Sequence, residues 1–506
     1  MFKKTLIIVI SLALLFVVGY TPAVNADSDV LVIGSAAEAV GLDPRLETDI
    51  PSSERLNIIM EPLVTFGASM DLEPRLATEW GLSEDSLTMT FHLREGVLWH
   101  DGEPFTAEDV VYTFEWILDE NNAAPNRALY EVIDEVVAEN DHTVHFHLAE
   151  PNAFLLNNIA RMPVVPTAHG DSEDFRTDPI GTGPYSFESW TRDDVMHLVA
   201  NDDYWGGTPI LSRIEFRAIP EDSSRLLALE AGEIDMYQGG VVPEELARLE
   251  GDPNVTVQRV TGTGHVYLGF NTRTEPLDDV NVRRAISHLI NRAGIIDRIQ
   301  HGIGSVATGP VPEGLPWYNP DVTTYDYNPQ RAQELIEEAG VDLSGLTLGL
   351  HTNENPLRIR ISEIMQNEAQ QIGLDLDVSI EEWGAFWSGL QQPDHEYDLF
   401  IVGWVGQVDA DRAMFRQFHT DGPFNFGGYS DARLDELLEE GKRVPSDSER
   451  SIEIYREAQE IVANNAYYGF INYYEEVGLS RPGVDGYIVH PYTANAWQNA
   501  HTFTKE

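Results

Sequence analysis

Leu87-Thr-Met-Thr-Phe-His-Leu93 is followed, six residues later, by Trp99-His-Asp-Gly-Glu-Pro-Phe-Thr-Ala-Glu-Asp-Val-Val-Tyr-Thr-Phe-Glu-Trp-Ile-Leu118. Strict alternation of apolar and polar side chains over 87–93 predicts a half-buried strand. Asp101-Gly102 is a turn signal. From Phe105 the apolar period changes to that of a helix, with Thr106 as N-cap and Asp109 three residues on to complete the cap. Strand, turn and helix in this order make an α/β unit, and the same alternation continues in both directions. Val30-Leu-Val-Ile33 predicts a buried strand, 52–62 a helix, and 144–148 a second alternating strand. Beyond these, helices are expected over 222–231, 280–298, 329–339, 357–371, 430–441 and 446–464. Strands are expected over 213–218, 255–259, 266–271, 346–351, 374–380 and 399–403. The result is an α/β protein in several packed lobes, with no internal repeat and no long linker.

Composition narrows what the chain does. There are 506 residues, 84 acidic against 32 Lys+Arg, a net charge of -52, and no cysteine. Nucleic-acid phosphates would repel such a surface, and the lack of Cys removes thiolate zinc sites, iron–sulfur clusters and cysteine nucleophiles. Hydrophobic residues make up 42% of the chain, ample for packed cores and too many for an acidic disordered chain. Lysine occurs only at Lys3, Lys4, Lys442 and Lys505. An Asp/Glu surface almost free of lysine suits a protein working in concentrated salt, where self-repulsion is screened within about 3 Å at 1 M. Lys3-Lys4, an apolar run over 6–18, Pro22 and the small residues ending at Ala26 have the layout of a secretory signal peptide over 1–26. The expected location is a periplasm, without a lipid anchor because no cysteine is present.

The quoted stretch is one of an ordered series. Leu72-Glu-Pro-Arg-Leu-Ala-Thr-Glu-Trp80 precedes it; Pro179-Ile-Gly-Thr-Gly-Pro-Tyr185 and Ala228-Leu-Glu-Ala-Gly-Glu-Ile-Asp235 follow. Leu268-Gly-Phe-Asn271, Leu277-Asp-Asp-Val-Asn-Val-Arg-Arg-Ala-Ile286, Gly403-Trp404 and Asn425-Phe-Gly-Gly-Tyr-Ser-Asp431 complete it. In content, order and spacing the series resembles the family 5 extracellular solute-binding proteins of ABC importers. The resemblance implies a two-lobed periplasmic binding protein clamp of type II, cluster C-like, with an extra domain. It implies a discontinuous domain I (27–60, 180–265 and 480–506), the extra domain II (61–179) and a second ligand-binding lobe, domain III (266–479). The strands at 266–271 and near Ser480 would cross between lobes as the hinge. A monomeric, non-enzymatic receptor is implied, capturing a peptide or similar solute and delivering it to a membrane permease, with no cofactor and no metal.

For the ligand site, the resemblance points to Trp404 and to the position three residues beyond it. Peptide-binding members carry there an Asp that pairs with the peptide's α-ammonium. Here the position is Gln407, which is neutral; Asp409 and Asp411 are the nearest acids. Trp383, Tyr185 and Asn271 are the remaining candidates, with Trp383, Phe386, Trp387 and Trp404 read as an aromatic wall on a loop and strand at the cleft. Because of Gln407, a non-peptide solute such as an oligosaccharide or a nickel chelate is the alternative within the class. A secreted carboxylate-dependent hydrolase is the remote one, for which no Gly-x-Ser-x-Gly or His-Glu-x-x-His motif is present. Gly181-Thr-Gly183 reads as a turn needing small residues, Trp99 and His100 as packing residues, and Arg283-Arg284 as a salt-bridging surface pair.

Overall fold

A computed structural model describes residues 29–392, 394–405, 408–446 and 448–506. The proposed signal peptide and Gln407 lie outside the described residues. Two long strands, Thr256–Phe270 and Tyr468–Ser480, run antiparallel to one another and organise the molecule. They change partners along their lengths. The first half of Thr256–Phe270, from Thr256 opposite Ser480 to Thr261 opposite Glu475, pairs with Tyr468–Ser480, whose other side takes Met236–Gln238 and, beyond it, Val30–Ser35, Arg213–Ala218, Val195–Ala200 and Tyr185–Thr191. The second half, from His265 to Phe270, is flanked on its other side by Leu399–Trp404, Thr347–Asn353 and Asp375–Glu381. The register slips between Thr261 and His265, so the ladder is broken by a bulge where one set of partners gives way to the other. The segments 255–259 and 266–271, expected as separate strands, are therefore one continuous strand.

A separate antiparallel sheet, in the order Ala77–Leu82, Thr88–Leu93, Thr143–Leu148, Ile133–Asn140, carries the helix Ala107–Leu118. That helix begins as expected, with the Asp109 carboxylate accepting from the Thr106 backbone N–H at 3.0 Å. Its apolar face drives Phe114 edge-on into Phe146, ring centroids 4.9 Å apart. Asp109 also accepts from Trp99 Nε1 at 3.3 Å and from both the backbone and hydroxyl of Thr167 at 2.9 Å.

The recognisable sequence blocks meet at one junction between the two sheets. His100 Nδ1 accepts from the Gly181 N–H at 3.1 Å, and its Nε2 faces the Gly183 carbonyl at 3.0 Å. Gly183 N–H donates to Ile59 O at 2.9 Å, at the end of the helix Ile50–Ile59. Neither glycine has a positive φ. Small residues are required here by close approach of backbones, a different cause from the turn expected.

Local differences from the sequence reading have identifiable causes. The helix expected over 280–298 is two, Val280–His288 and Arg292–Arg298, because the Asn291 side chain caps the second by accepting from Gly294 N–H at 3.0 Å. Arg283 and Arg284 pair with no carboxylate among the described residues. Their guanidinium groups donate to the carbonyls of Asn465 and Asn464, closing the last turn of the helix Glu449–Asn464. His145 and His147 face Thr90 and Thr88 on the neighbouring strand at 2.9 and 3.2 Å.

Buried carboxyls make stability pH-dependent. Burial pushes Glu54 up to about 7 from an ordinary 4.5, against the pull of Arg55, whose Nη1 is 2.8 Å away. Burial, helped by the charge of Asp409, pushes Asp411 up to about 7 from 3.8. Both folded-state values are raised, so the folded chain holds protons that the unfolded chain has released. The stabilisation they give is complete below about pH 4 and is lost as pH rises towards 7. Denaturant midpoints measured from pH 4 to 8 are expected to fall across this window, by up to about 1.4 kcal/mol per pH unit for each group. Glu54→Gln should flatten the slope; an unchanged slope would remove Glu54 from this account.

Candidate ligand-binding cleft

Two cavities open between segments joined to opposite halves of the crossing strands. One, of about 340 Å³, lies at the bulge and is lined by Gly239 and Gly240 from one side and by Gln300 and Arg360 from the other. Tyr474 and Glu475 of the crossing strand contribute to its wall. Glu475 is fixed there by Arg259 Nη2 at 2.6 Å and by Gly304 N–H at 3.0 Å. The second cavity, of about 300 Å³, is lined by Asn57, Tyr130, Arg161 and Tyr492 together with Val405 and Arg412. Val405 directly follows the Gly403-Trp404 pair and is 68% exposed. Volumes of this order, at the meeting of two lobes, are those of ligand sites.

A strip of rings ends at Trp404, the residue before Val405. Trp383 stacks on Trp387 (centroids 5.3 Å apart), Trp387 contacts Phe424 (5.8 Å), and Phe424 meets Trp404 edge-on (4.9 Å). Trp383 opens the helix Trp383–Leu390, where a loop was expected, because the Glu382 carboxylate caps it by accepting from Ala385 N–H at 3.1 Å. It is 44% exposed, whereas Phe386 is wholly buried.

Three candidates are corrected. Tyr185 is fully buried with its hydroxyl donating to Leu211 O at 3.0 Å, inside the sheet and away from both cavities. Asn271 is buried too; its Nδ2 donates to Tyr397 O at 3.1 Å and its Oδ1 accepts from Arg273 Nε at 2.9 Å, leaving it a structural tie. Asp409 is the N-cap of the helix Ala410–Phe418, accepting from Arg412 N–H at 2.7 Å, and is 3% exposed. Its burial holds its carboxyl above the ordinary range. As a capped helix start it is no mobile substitute for an acid at position 407. The residues missed are Arg161, Arg412, Tyr130 and Tyr492. No local pattern marks them, since each reaches the cavity from a different part of the chain.

Residues 71–426 match the description of the bacterial extracellular solute-binding proteins, family 5. The chain belongs to this family. The dipeptide-binding protein of Escherichia coli (strain K12) is 28% identical over 524 residues, covering 96% of this chain and 97% of that protein. The structure of HbpA2 from Haemophilus parasuis superposes with a TM-score of 0.86 at 26% identity, over 94% of this family 5 chain and 100% of that one. The periplasmic binding protein DppA from Helicobacter pylori, in complex with the peptide STSA, gives 0.75 at 29% identity, over 94% and 98%. The family 5 chain thus has the two-lobed fold of periplasmic binding proteins, and these relatives are binding proteins rather than hydrolases. No helix among the described residues is long and apolar enough to cross a membrane.

Proposed function

We propose that this chain is the receptor of an ABC importer, and that it captures a peptide in the cleft and presents it to a membrane permease. The observation that carries the reading is the pair of cavities bounded by segments from both halves of the crossing strands, in a chain whose relatives include a dipeptide-binding protein and a receptor complexed with a tetrapeptide. Residues 27–60, 180–265 and 480–506 serve as one lobe, 266–479 as the other and 61–179 as the extra domain. The bulge after Thr261 is the hinge about which they close. A ligand drives closure only through its greater affinity for the closed arrangement. Trp383 and Trp404 line the approach as ends of the aromatic strip. Export by residues 1–26 to a periplasm, monomeric action and a surface adapted to high salt complete the proposal.

Titration with peptides of two to nine residues, followed by tryptophan fluorescence and thermal shift in high salt, tests it. Saturable binding with one site is expected, with stabilisation of about 4 kcal/mol when free peptide reaches a thousand times Kd. Mass spectrometry should return the peptide intact. A flat response to every peptide, or cleavage of any of them, would overturn the reading.

A further inference from the structure

Many arginines of this chain are held by carboxylates. Arg45 is held by Asp43, Arg225 by Asp222, Arg259 by Glu250 and Glu475, Arg433 by Glu436 and Glu457. Arg161 and Arg412 are among the arginines with no such partner, and they are brought together at one cavity. Both line the cavity of about 300 Å³, one just after the helix Leu155–Ile159 and the other within the helix Ala410–Phe418. Among the described residues neither forms an ion pair. Arg161 donates from Nε to the Tyr492 hydroxyl at 3.1 Å and lies over that ring, its guanidinium carbon 5.6 Å from the centroid. The guanidinium of Arg412 has no hydrogen-bond partner among them.

The acids close by are already engaged. Asp409 uses its carboxylate to cap the helix on which Arg412 stands. Glu47, which lines the same cavity, accepts from Arg176 Nε at 2.6 Å. Burial, and then the charge of Arg161, draw Arg412 down to about 10, so both guanidinium groups stay charged at neutral pH and repel each other. Among the described residues, the one buried carboxylate whose charge reaches both, Asp409, is shared between two arginines from distant parts of the chain, so the pair retains positive charge for an anion.

We propose that this cavity takes a carboxylate of the ligand, held between Arg161 and Arg412, so that the receptor selects peptides presenting a carboxylate at that point. The inference rests on the peptide-receptor reading above. A carboxylate matches the fork of guanidinium donors, and each charge-assisted bond is stronger than a neutral one. Because the two arginines stand on segments 61–179 and 266–479, an anion reached by both gains more as the cleft narrows, which gives it the differential affinity that closure requires. The carboxylate has two sources, the peptide C-terminus or an acidic side chain, and they are separable by experiment.

Calorimetric titrations would use trialanine, trialanine amide, and two further tripeptide amides with glutamate or glutamine in the middle. The wild-type chain is expected to favour the carboxylate form of one pair about 10- to 100-fold. A preference in the first pair assigns the C-terminus; in the second, the side chain. In the double variant R161Q/R412Q that ratio should fall below about threefold. It should persist in Arg331→Gln, which changes a half-buried arginine that is paired with Glu334 and Glu338 and does not line the cavity. Peptide binding without either preference, or a preference that survives in the double variant, would overturn the inference and leave the receptor reading intact. If the wild type binds no peptide, the receptor reading fails, and glutarate at millimolar concentration decides the rest. Thermal stabilisation by glutarate in the wild type alone keeps the arginine site for another carboxylate ligand; none, or equal stabilisation of both proteins, overturns it.

Discussion

Replacing Glu61 with alanine is expected to destabilise the fold by about 3–5 kcal/mol, as for the loss of one partner from a buried charged network. Glu61 follows the helix Ile50–Ile59 and is 3% exposed. Its carboxylate accepts from Tyr204 Oη and Trp205 Nε1, each at 2.8 Å, and from Thr182 Oγ1 at 3.1 Å, with Arg75 Nη1 at 4.0 Å. Burial raises its pKa, while Arg75 and the three hydrogen bonds oppose that rise. Alanine would strand all these donors at once, in a place too enclosed for water to replace the carboxylate fully, and each orphan costs about 1–3 kcal/mol. Glu61→Gln keeps the shape and one acceptor oxygen but turns an amide N–H₂ towards donors, so an intermediate loss is expected. Denaturant melts followed by tryptophan fluorescence measure both. An E61A midpoint equivalent to less than about 1 kcal/mol of loss would mean that the four segments are held together by packing alone.

The strand, turn and helix over 87–118 were readable because each rests on local rules: alternation, an Asp-Gly turn and a capping box. Helices such as Asp222–Ala231 and Pro329–Ala339 were readable to the residue for the same reason. The crossing strand Tyr468–Ser480 was placed only near Ser480, and by the resemblance, because no local pattern bounds it. It is buried over much of its length, so its side chains do not alternate, and its identity depends on a partner some two hundred residues earlier. The family motifs were legible as motifs, but two of the residues taken from them as ligand contacts, Tyr185 and Asn271, hold elements together, as does Asp409, taken as an acid near position 407. A motif marks where backbone and side chain are constrained, and constraint is more often a matter of packing than of ligand. Conversely, Arg161 and Arg412 carry no local signature. Their significance lies in lining one cavity with no ion pair among the described residues, a property only the folded chain possesses.

Gly181→Ala is the second large effect expected, at about 3 kcal/mol or more, the upper range for overpacking. A Cβ at 181 would fall inside the carbonyl oxygen of Ile59, 2.6 Å from its carbonyl carbon and 2.8 Å from Met60 Cγ. A Cβ at 183 would intrude on Ile58 O and stand 2.8 Å from the Ile59 carbonyl carbon. The principal obstacles are backbone atoms at the end of a helix, so rotation of a side chain gives no relief. Relief requires the strap to lift away, stretching the Gly183 N–H to Ile59 O bond and both contacts of His100 with the strap. Gly183→Ala should cost a similar amount. The double variant should cost less than the sum, because one retreat of the helix end makes room for both methyl groups. Gly81→Ala is the control: it lies in the strand Ala77–Leu82, and its Cβ would meet nothing within 4 Å. That change should lie within about 0.5 kcal/mol of wild type. If Gly181→Ala melts with the control, the strap is not seated on the helix end. If the two strap variants add fully, each glycine faces its own obstacle and the shared retreat is wrong.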